Sequence, residues 1–243
     1  MKALLIILFF LKICLVFGQP VDLFVWPEIQ KKGKTIKSFI PDQWKLIDST
    51  SGDMNEDHKM DIAFVIESRD SLITFTHTSQ LGEEIVVVDR KEKYPRRILA
   101  ILFKDSLTDT FKLIEQSNTV ILNHEDIQMN DPFQEIKIEK GLLRISYDDR
   151  VTNHINDNVY QYFFTYQGGT FLLTNVYWDI MNSSLQNTHS FDFVNKKWIR
   201  TEGIINSGQE HKKVYIDLYN VEIQTLKSFK RPFRWFVKEG FYL

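Results

Sequence analysis

The sequence predicts an all-β protein of antiparallel hairpins, arranged as a meander in a β-propeller-like form or as an irregular β-sandwich. Short apolar runs rich in β-branched residues are bounded by charged or turn-forming residues, which is typical of strands. Turn signals recur between these runs at roughly the 8–12 residue spacing of sandwiches, barrels and propellers. Convincing helical periodicity is hard to find after residue 18.

Residues 1–18 are predicted to form a cleavable signal peptide. Lys2 provides the positively charged start, and the apolar run that follows it is interrupted by Lys12. Val16 and Gly18 place modest or small side chains at the positions that a signal peptidase recognises, so we expect cleavage after Gly18. The interrupted run is too short for a comfortable membrane span, so no transmembrane anchor is expected after cleavage.

A cleaved leader indicates a secreted, periplasmic or cell-surface protein whose mature chain, residues 19–243, is a β-rich domain. The single cysteine of the sequence, Cys14, lies in the leader, so the mature chain has neither a disulfide nor a thiol. The lack of disulfides favours bacterial export. A lipid anchor on Cys14 is disfavoured because Ile13, rather than a small residue, precedes it.

The charge of the mature chain argues against a nucleic-acid partner. The whole chain has a formal net charge of −2, and loss of Lys2 and Lys12 makes the mature chain more acidic. Its basic residues are scattered along the sequence, whereas a nucleic-acid-binding protein concentrates them on one face or stripe.

The segment that begins at Asp53 is the one motif whose chemistry is recognisable. Calcium needs about six to eight oxygen ligands, which a tight loop supplies from alternate side chains and a main-chain carbonyl. Loop positions one, three, five and nine carry oxygen-bearing side chains, those of Asp53, Asn55, Asp57 and Asp61. The main-chain carbonyl of Lys59 is expected to add a further ligand. The pattern predicts a structural calcium site, and a solvated acidic β-turn is the alternative.

Residues 44–61, with the apolar strand that follows them, resemble one FG-GAP repeat of the integrin-alpha type. The loop of that repeat reads Asp-x-Asn-x-Asp-Gly-x-x-Asp, and the resemblance covers about 25 residues. It implies a calcium site between two strands, a β-propeller blade, and a place among exported bacterial proteins for which no activity follows. The chain departs from the repeat at the sixth loop position, where His58 replaces the glycine of a sharp turn.

Further along the chain, the apolar runs and turn residues predict the order of the strands. Three runs are continuously apolar and are expected to be buried strands, namely 62–66, 85–88 and 98–103. Later segments alternate apolar and polar residues, which predicts strands with one solvated face. Turn-forming pairs join neighbouring strands into hairpins at Lys140-Gly141, Gly168-Gly169 and Asn195-Lys196.

Three polar stretches are predicted to be loops: 67–84, 123–132 and 206–213. The middle stretch is a possible subdivision of the mature chain. It would separate an FG-GAP-like half, residues 19–125, from a β meander, residues 126–243.

Catalytic motifs are scarce in this sequence. The histidines do not form a zinc-ligand pair, and neither a nucleophile elbow nor a phosphate-binding glycine loop occurs. The loop segments 124–126 and 148–150 contain carboxylates that would suit glycoside cleavage, which requires two carboxyl groups at a set separation. Charged loop clusters are usually only solvated, so we expect a non-enzymatic protein, with a carbohydrate-active hydrolase as the alternative.

Aromatic residues are abundant around the Gly168-Gly169 turn, in the segments 160–166 and 170–178. They are expected to fill a β core, which is where such rings are commonly found. Exposed rings on a sheet face would instead bind a glycan or a protein partner. The sequence therefore predicts an exported calcium-binding β protein that acts, if at all, as a binding or interaction module.

Overall fold

The computed structural model describes residues 24–69, 73–81, 84–92, 95–105, 107–124, 130–148, 157–182, 184–205, 207, 210–238 and 240–243. The predicted signal peptide, residues 1–18, lies outside these described residues. Within them the protein is all-β, as predicted, and its only helical segment is a short 3₁₀ turn at Ile36–Phe39. A helix long and apolar enough to cross a membrane does not occur in this part of the chain.

The strands follow one another along the chain as β1 (Lys32–Gly33), β2 (Trp44–Gly52), β3 (Asp61–Ser68), β4 (Ile73–Leu81), β5 (Glu84–Glu92), β6 (Arg97–Lys104), β7 (Phe111–Ser117), β8 (Phe133–Glu139), β9 (Leu142–Asp148), β10 (Asp157–Gln167), β11 (Thr170–Met181), β12 (Leu185–Asp192), β13 (Lys197–Ile204), β14 (Lys212–Asp217), β15 (Phe236–Lys238) and β16 (Phe241–Tyr242). All the strand pairs among them are antiparallel.

A five-stranded sheet has the order β1-β7-β6-β3-β2. Its central strands β3 and β6 are buried almost along their whole length, as predicted for the apolar runs 62–66 and 98–103. Such continuous apolar runs are expected where both faces of a strand are covered. The run 85–88 also forms a strand, as part of β5, but the burial of its side chains lies outside what the structure describes.

A seven-stranded meander contains β8 to β14 in simple consecutive order. The predicted hairpin turns at Lys140-Gly141 and Gly168-Gly169 are confirmed, and all four residues have positive φ. Lys196 also has a positive φ, of 54°, in the turn between β12 and β13. Positive φ at both central residues gives a turn the twist that matches its flanking strands.

The predicted loop at 67–84 is wrong over most of its length. Its first two residues continue β3, and Ile73–Leu81 forms β4, which pairs with β5 as a separate two-stranded ribbon. The stretch is polar but rich in threonine, and threonine favours a strand as much as the apolar β-branched residues do. Polarity alone was therefore an insufficient sign of a loop.

Two hydrophobic cores hold the layers together. The larger core joins the five-stranded sheet to the meander, with Val65 and Leu99 from the first and Tyr162 and Phe164 from the second. The smaller core lies on the other face of the five-stranded sheet, which residues 24–40 cover. None of the described sheets closes into a barrel, and the arrangement fits the sandwich or meander form of the prediction.

Candidate metal centre

The candidate calcium loop connects β2 to β3 and begins directly after the last pair of this hairpin, Gly52 with Asp61. It packs against the turn between β8 and β9. A methyl group added to Gly141 in that turn would lie 3.7 Å from the carbonyl oxygen of Asp53. The loop therefore lies where the five-stranded sheet meets the edge of the meander.

Side chains of the loop bind main-chain N–H groups of the same loop. Oδ2 of Asp53 accepts a hydrogen bond from the N–H of His58 at 2.8 Å. Oδ1 of Asn55 accepts one from Asp57 at 3.2 Å, and Oδ1 of Asp57 accepts one from Lys59 at 3.0 Å. Short polar side chains commonly stabilise turns in this way. Here the three acceptors are themselves predicted ligands, so the hydrogen bonds fix the loop that carries them.

Asp61 is the most buried member of the predicted ligand set, with no exposed surface. Its Oδ2 accepts a hydrogen bond from the N–H of Met54 at 3.0 Å, and its Oδ1 accepts one from Lys104 at 3.1 Å. Burial, with smaller effects of the negative charges of Asp57 and Asp53, raises the pKa of Asp61 from 3.8 to about 6, against the opposing effect of the hydrogen bonds from Met54 and Lys104. The ionised carboxylate thus lies in surroundings that favour a compensating positive charge.

Asp53 contributes an oxygen that has no hydrogen-bond partner among the described residues. Its Oδ1 is buried and accepts no hydrogen bond, whereas its Oδ2 is occupied by His58. A buried carboxylate oxygen without a partner is costly unless a proton, a donor or a cation satisfies it. This orphaned oxygen is the feature of the loop that best fits a bound cation.

The predicted ligands are only partly brought together. Asp53 and Asp57 are near enough to Asp61 to affect its pKa, yet Asp57 is exposed and Asn55 is half-buried. Within the described ranges, no group of three or more His, Cys, Asp or Glu side chains is arranged to hold a metal ion. A complete ligand shell would therefore also need Asn55 and the carbonyl of Lys59. The role of both groups as ligands remains a prediction.

The sixth loop position has the backbone conformation that glycine adopts most easily. His58 has a φ of 62°, and Glu56, two residues earlier, has a φ of 63°. A non-glycine residue in this left-handed region is uncommon and carries a steric cost. The chain thus makes a sharp turn at position six with a residue that is poorly suited to it.

Sequence reasoning missed the contribution of Lys104 to this site. Its N–H reaches Asp61 from the end of β6, 43 residues away along the chain. Lys104 and Lys59 also line a shallow cavity of about 480 Å³ beside the loop, together with Met60 and Leu107. A main-chain hydrogen bond between distant residues has no sequence signal, because any residue type can supply the N–H.

The carboxylate segments proposed for glycoside cleavage are only partly described. Glu125, Asp126, Asp149 and Arg150 lie outside the described residues, so that hypothesis remains a prediction. Asp148, at the end of β9, is buried, with 7% of its surface exposed.

The aromatic residues of β10 and β11 divide between the two faces of the meander. Tyr160, Tyr162, Phe164 and Phe171 are buried in the core, as expected. Phe163 and Tyr177 lie outside this core and line a groove on the opposite face. The prediction that rings fill the core is thus confirmed for the four buried residues, and Tyr166 and Trp178 also pack against this core. It does not hold for Phe163 and Tyr177.

Comparisons with known proteins add no relationship to this geometry. The sequence matches no family model, and searches of curated proteins and of solved structures find no significant similarity.

Proposed function

We propose that this chain is an exported β protein in which the loop 53–61 binds one structural calcium ion, and that the protein acts by binding rather than by catalysis. The observation that carries the proposal is the buried, unpartnered Oδ1 of Asp53 beside the buried carboxylate of Asp61. The cation would supply positive charge and electrostatic attraction for these oxygens. The proposed ligands are Asp53, Asn55, Asp57, Asp61 and the carbonyl of Lys59.

The positions of the hydrogen-bonded oxygens are compatible with this role. Each oxygen of Asp61 accepts one main-chain hydrogen bond, and a carboxylate oxygen retains a second lone pair for another partner. Asp53 is similar, because only its Oδ2 is used within the loop. The internal hydrogen bonds therefore orient the carboxylates and leave lone pairs available.

The location of the loop explains why a cation would stabilise the whole fold. Asp61 binds main-chain groups of the loop and of β6, and Asp53 lies against the β8–β9 turn. A cation would reduce the electrostatic repulsion among Asp53, Asp57 and Asp61, and so lower the free-energy cost of bringing these elements together. A ligand that binds the native state alone at a hundredfold excess over its Kd stabilises the fold by about 2.7 kcal/mol.

The direct test is thermal unfolding of the mature protein in millimolar calcium and in excess chelator. We expect calcium to raise the Tm of the wild-type protein and chelator to lower it. Asp53→Asn should weaken this response, because it keeps an oxygen that can accept the His58 N–H but removes the negative charge. Asp61→Ala should abolish the response, since it removes a ligand.

Glu56→Gln is the matched control, because it removes one negative charge from an exposed, non-ligand position of the same loop. This variant should respond to calcium as the wild type does. Isothermal titration should give a stoichiometry of one calcium ion per chain. A wild-type Tm that does not change with calcium would contradict the proposal and leave the segment as an acidic turn.

A further inference from the structure

The outer face of the meander contains a groove that lies apart from the calcium loop and shares only Val176, a buried residue, with the larger core. The side chains of β10 alternate between faces, so Gln161 and Phe163 point away from the core that contains Tyr160 and Tyr162. The groove has a volume of about 420 Å³. This lies within the range of about 300–1,000 Å³ that is typical of small-molecule sites. Its lining residues are Leu142, Gln161, Phe163, Asn175, Val176, Tyr177 and Ser190.

A β-bulge shapes the sheet at this groove. Phe163 pairs with Asn175, but the next residue, Phe164, pairs with Leu173, so Thr174 has no residue opposite it on β10. A bulge of this kind bends the strand and increases the local twist of the sheet. The outer face is therefore bent where Phe163 and Asn175 lie opposite each other.

The lining combines two rings with hydrogen-bonding groups in adjacent rows of the sheet. Gln161, Tyr177 and Ser190 are direct cross-strand neighbours, and Phe163 and Asn175 form the next row. Burial raises the pKa of Tyr177, and the side chain of Thr188, which lies near the Tyr177 hydroxyl, lowers it. The amides and the hydroxyl can both donate and accept hydrogen bonds.

The groove lining contains no formally charged residue, and the carboxylates of Asp179 and Asp192 beside it accept hydrogen bonds from neutral amides. Arg144, which lies opposite Phe163 on β9, forms an ion pair with Glu135 at 2.9 Å. Asp192, which lies opposite Asn175 on β12, accepts hydrogen bonds from the main chain and side chain of Asn195.

We infer that this groove binds a neutral saccharide. A pyranose ring has an apolar C–H face and a rim of hydroxyl groups, so it matches a site with two aromatic rings flanked by amides and a hydroxyl. An anionic ligand would find no positive charge in the lining, and the volume of the groove is that of a small-molecule site. The inference is independent of the calcium loop, because the two sites share no residue.

The test uses the mature chain and a panel of neutral trisaccharides of glucose, mannose, galactose and N-acetylglucosamine. Saturation-transfer NMR should detect at least one of them at millimolar concentration, and calorimetry should give its Kd. Phe163→Ala and Tyr177→Ala should each weaken that binding about tenfold or more, because each removes an aromatic face. Tyr242→Ala is the matched control, since Tyr242 is a 57% exposed ring of β16, a strand that belongs to a different sheet and does not line the groove.

A second variant tests the groove without removing a packed ring. Ser190 is exposed at the groove, so Ser190→Arg should block it and abolish saccharide binding while the Tm stays near the wild-type value. The inference is overturned if no neutral trisaccharide binds, if a uronic-acid trisaccharide binds as tightly as the neutral ones, or if Ser190→Arg binds like the wild type. If no saccharide binds but calcium still raises the Tm, the groove inference is wrong and the proposed calcium site is unaffected.

Discussion

Arg97 and Asp131 connect the two main sheets through a fork of hydrogen bonds. Nη1 of Arg97, in β6, donates to Oδ1 of Asp131 at 2.8 Å, and Nη2 donates to Oδ2 of the same carboxylate. The guanidinium also binds Glu67 on β3 through Nε at 2.9 Å and Nη2 at 2.8 Å, and Nη1 reaches the carbonyl of Leu122 at 2.9 Å. The buried guanidinium of Arg97 thus holds β3, β6 and the segment before β8 together.

Replacing Arg97 should be among the most destabilising single changes in the molecule. Arg97→Met keeps much of the side-chain volume but leaves the buried Glu67, within the described part of the chain, with only its contact to Lys45, at 2.8 Å. Breaking a buried pair by removing one partner costs about 3–5 kcal/mol. Urea unfolding should show this loss. Lys197→Met, in the exposed pair with Asp217, is the control and should change stability far less.

A second prediction concerns the contact between the sheet edges at β2 and β8. Oδ2 of Asp48 accepts a hydrogen bond from the N–H of Ile136 at 2.7 Å, and Thr50 accepts one from Ile138 at 3.1 Å. Asp48→Ala leaves a buried N–H without this acceptor, so we expect a loss of about 1–3 kcal/mol in urea unfolding.

The controls for this prediction separate hydrogen bonding from charge. Asp48→Asn retains an acceptor and should lose less stability than Asp48→Ala, and the exposed Ser49→Ala should be nearly neutral. Amide hydrogen exchange at Ile136 should accelerate in Asp48→Ala. Unchanged exchange there would contradict a role for Asp48 in joining the sheets.

The parts of the fold that depend on neighbouring residues were predictable from the sequence. The apolar runs predicted β3 and β6 correctly, because both faces of these strands are buried and continuous apolar sequence is the sign of that burial. Gly168-Gly169 predicted the β10–β11 hairpin, because the positive φ of a tight turn is a local requirement that glycine meets. The strand β4 was missed because its polar threonines resemble a loop in composition.

Long-range relationships were not predictable. Arg97 contacts Glu67 and Asp131 over separations of 30 and 34 residues, and nothing in the sequence relates these three charges. The candidate ligands of the loop were identified by their spacing, but the burial of Asp61 and its bond to Lys104 depend on how β3 and β6 pair. Spacing can therefore propose a site, whereas its electrostatics depend on the tertiary fold.

A third prediction is that His189 reduces stability in acid. The ring stacks on Trp178 with a centroid distance of 4.7 Å and lies 5.7 Å from Trp198. Burial, with a smaller effect of Arg200, lowers the pKa of His189 from 6.5 to about 4, against an opposing effect of Glu202. Between these values the unfolded chain binds a proton that the folded protein does not, so this group lowers the free energy of unfolding as pH falls from 6.5 to 4.

His189→Phe should remove that dependence while keeping a ring in the stack. Relative to wild type, the variant should gain up to about 3 kcal/mol as the pH is lowered through this window. Asp61 acts in the opposite direction, because its raised pKa makes the folded protein bind the extra proton, so the difference between the two proteins is the quantity to measure. His189→Gln also lacks a titrating group, so it should show the same pH dependence as His189→Phe at a lower overall stability. If the free energy of unfolding depends on pH in the same way for the wild type and both variants, His189 is not the titrating group.

The fourth prediction is that His58→Gly stabilises the protein. His58 has a φ of 62°, and its side chain is 96% exposed, so the substitution removes little packing. A left-handed conformation costs a non-glycine residue about 1–2 kcal/mol, and the greater freedom of glycine in the unfolded chain offsets part of this. We therefore expect a net gain of up to about 1 kcal/mol without calcium.

The same substitution should increase the response to calcium, because glycine allows the loop to close around the ligands without strain while all the proposed ligands remain. Lys59→Gly is the matched control, since it places the same flexibility at the next position, where φ is not positive, and it should lower stability. Both variants are compared with wild type by urea unfolding in chelator and by calorimetric titration with calcium. A lower stability of His58→Gly in chelator would mean that the 3.8 Å contact of the His58 ring with Asp53 outweighs the backbone strain. A weaker calcium affinity of His58→Gly would contradict the assignment of residue 58 to the sharp turn of a calcium loop.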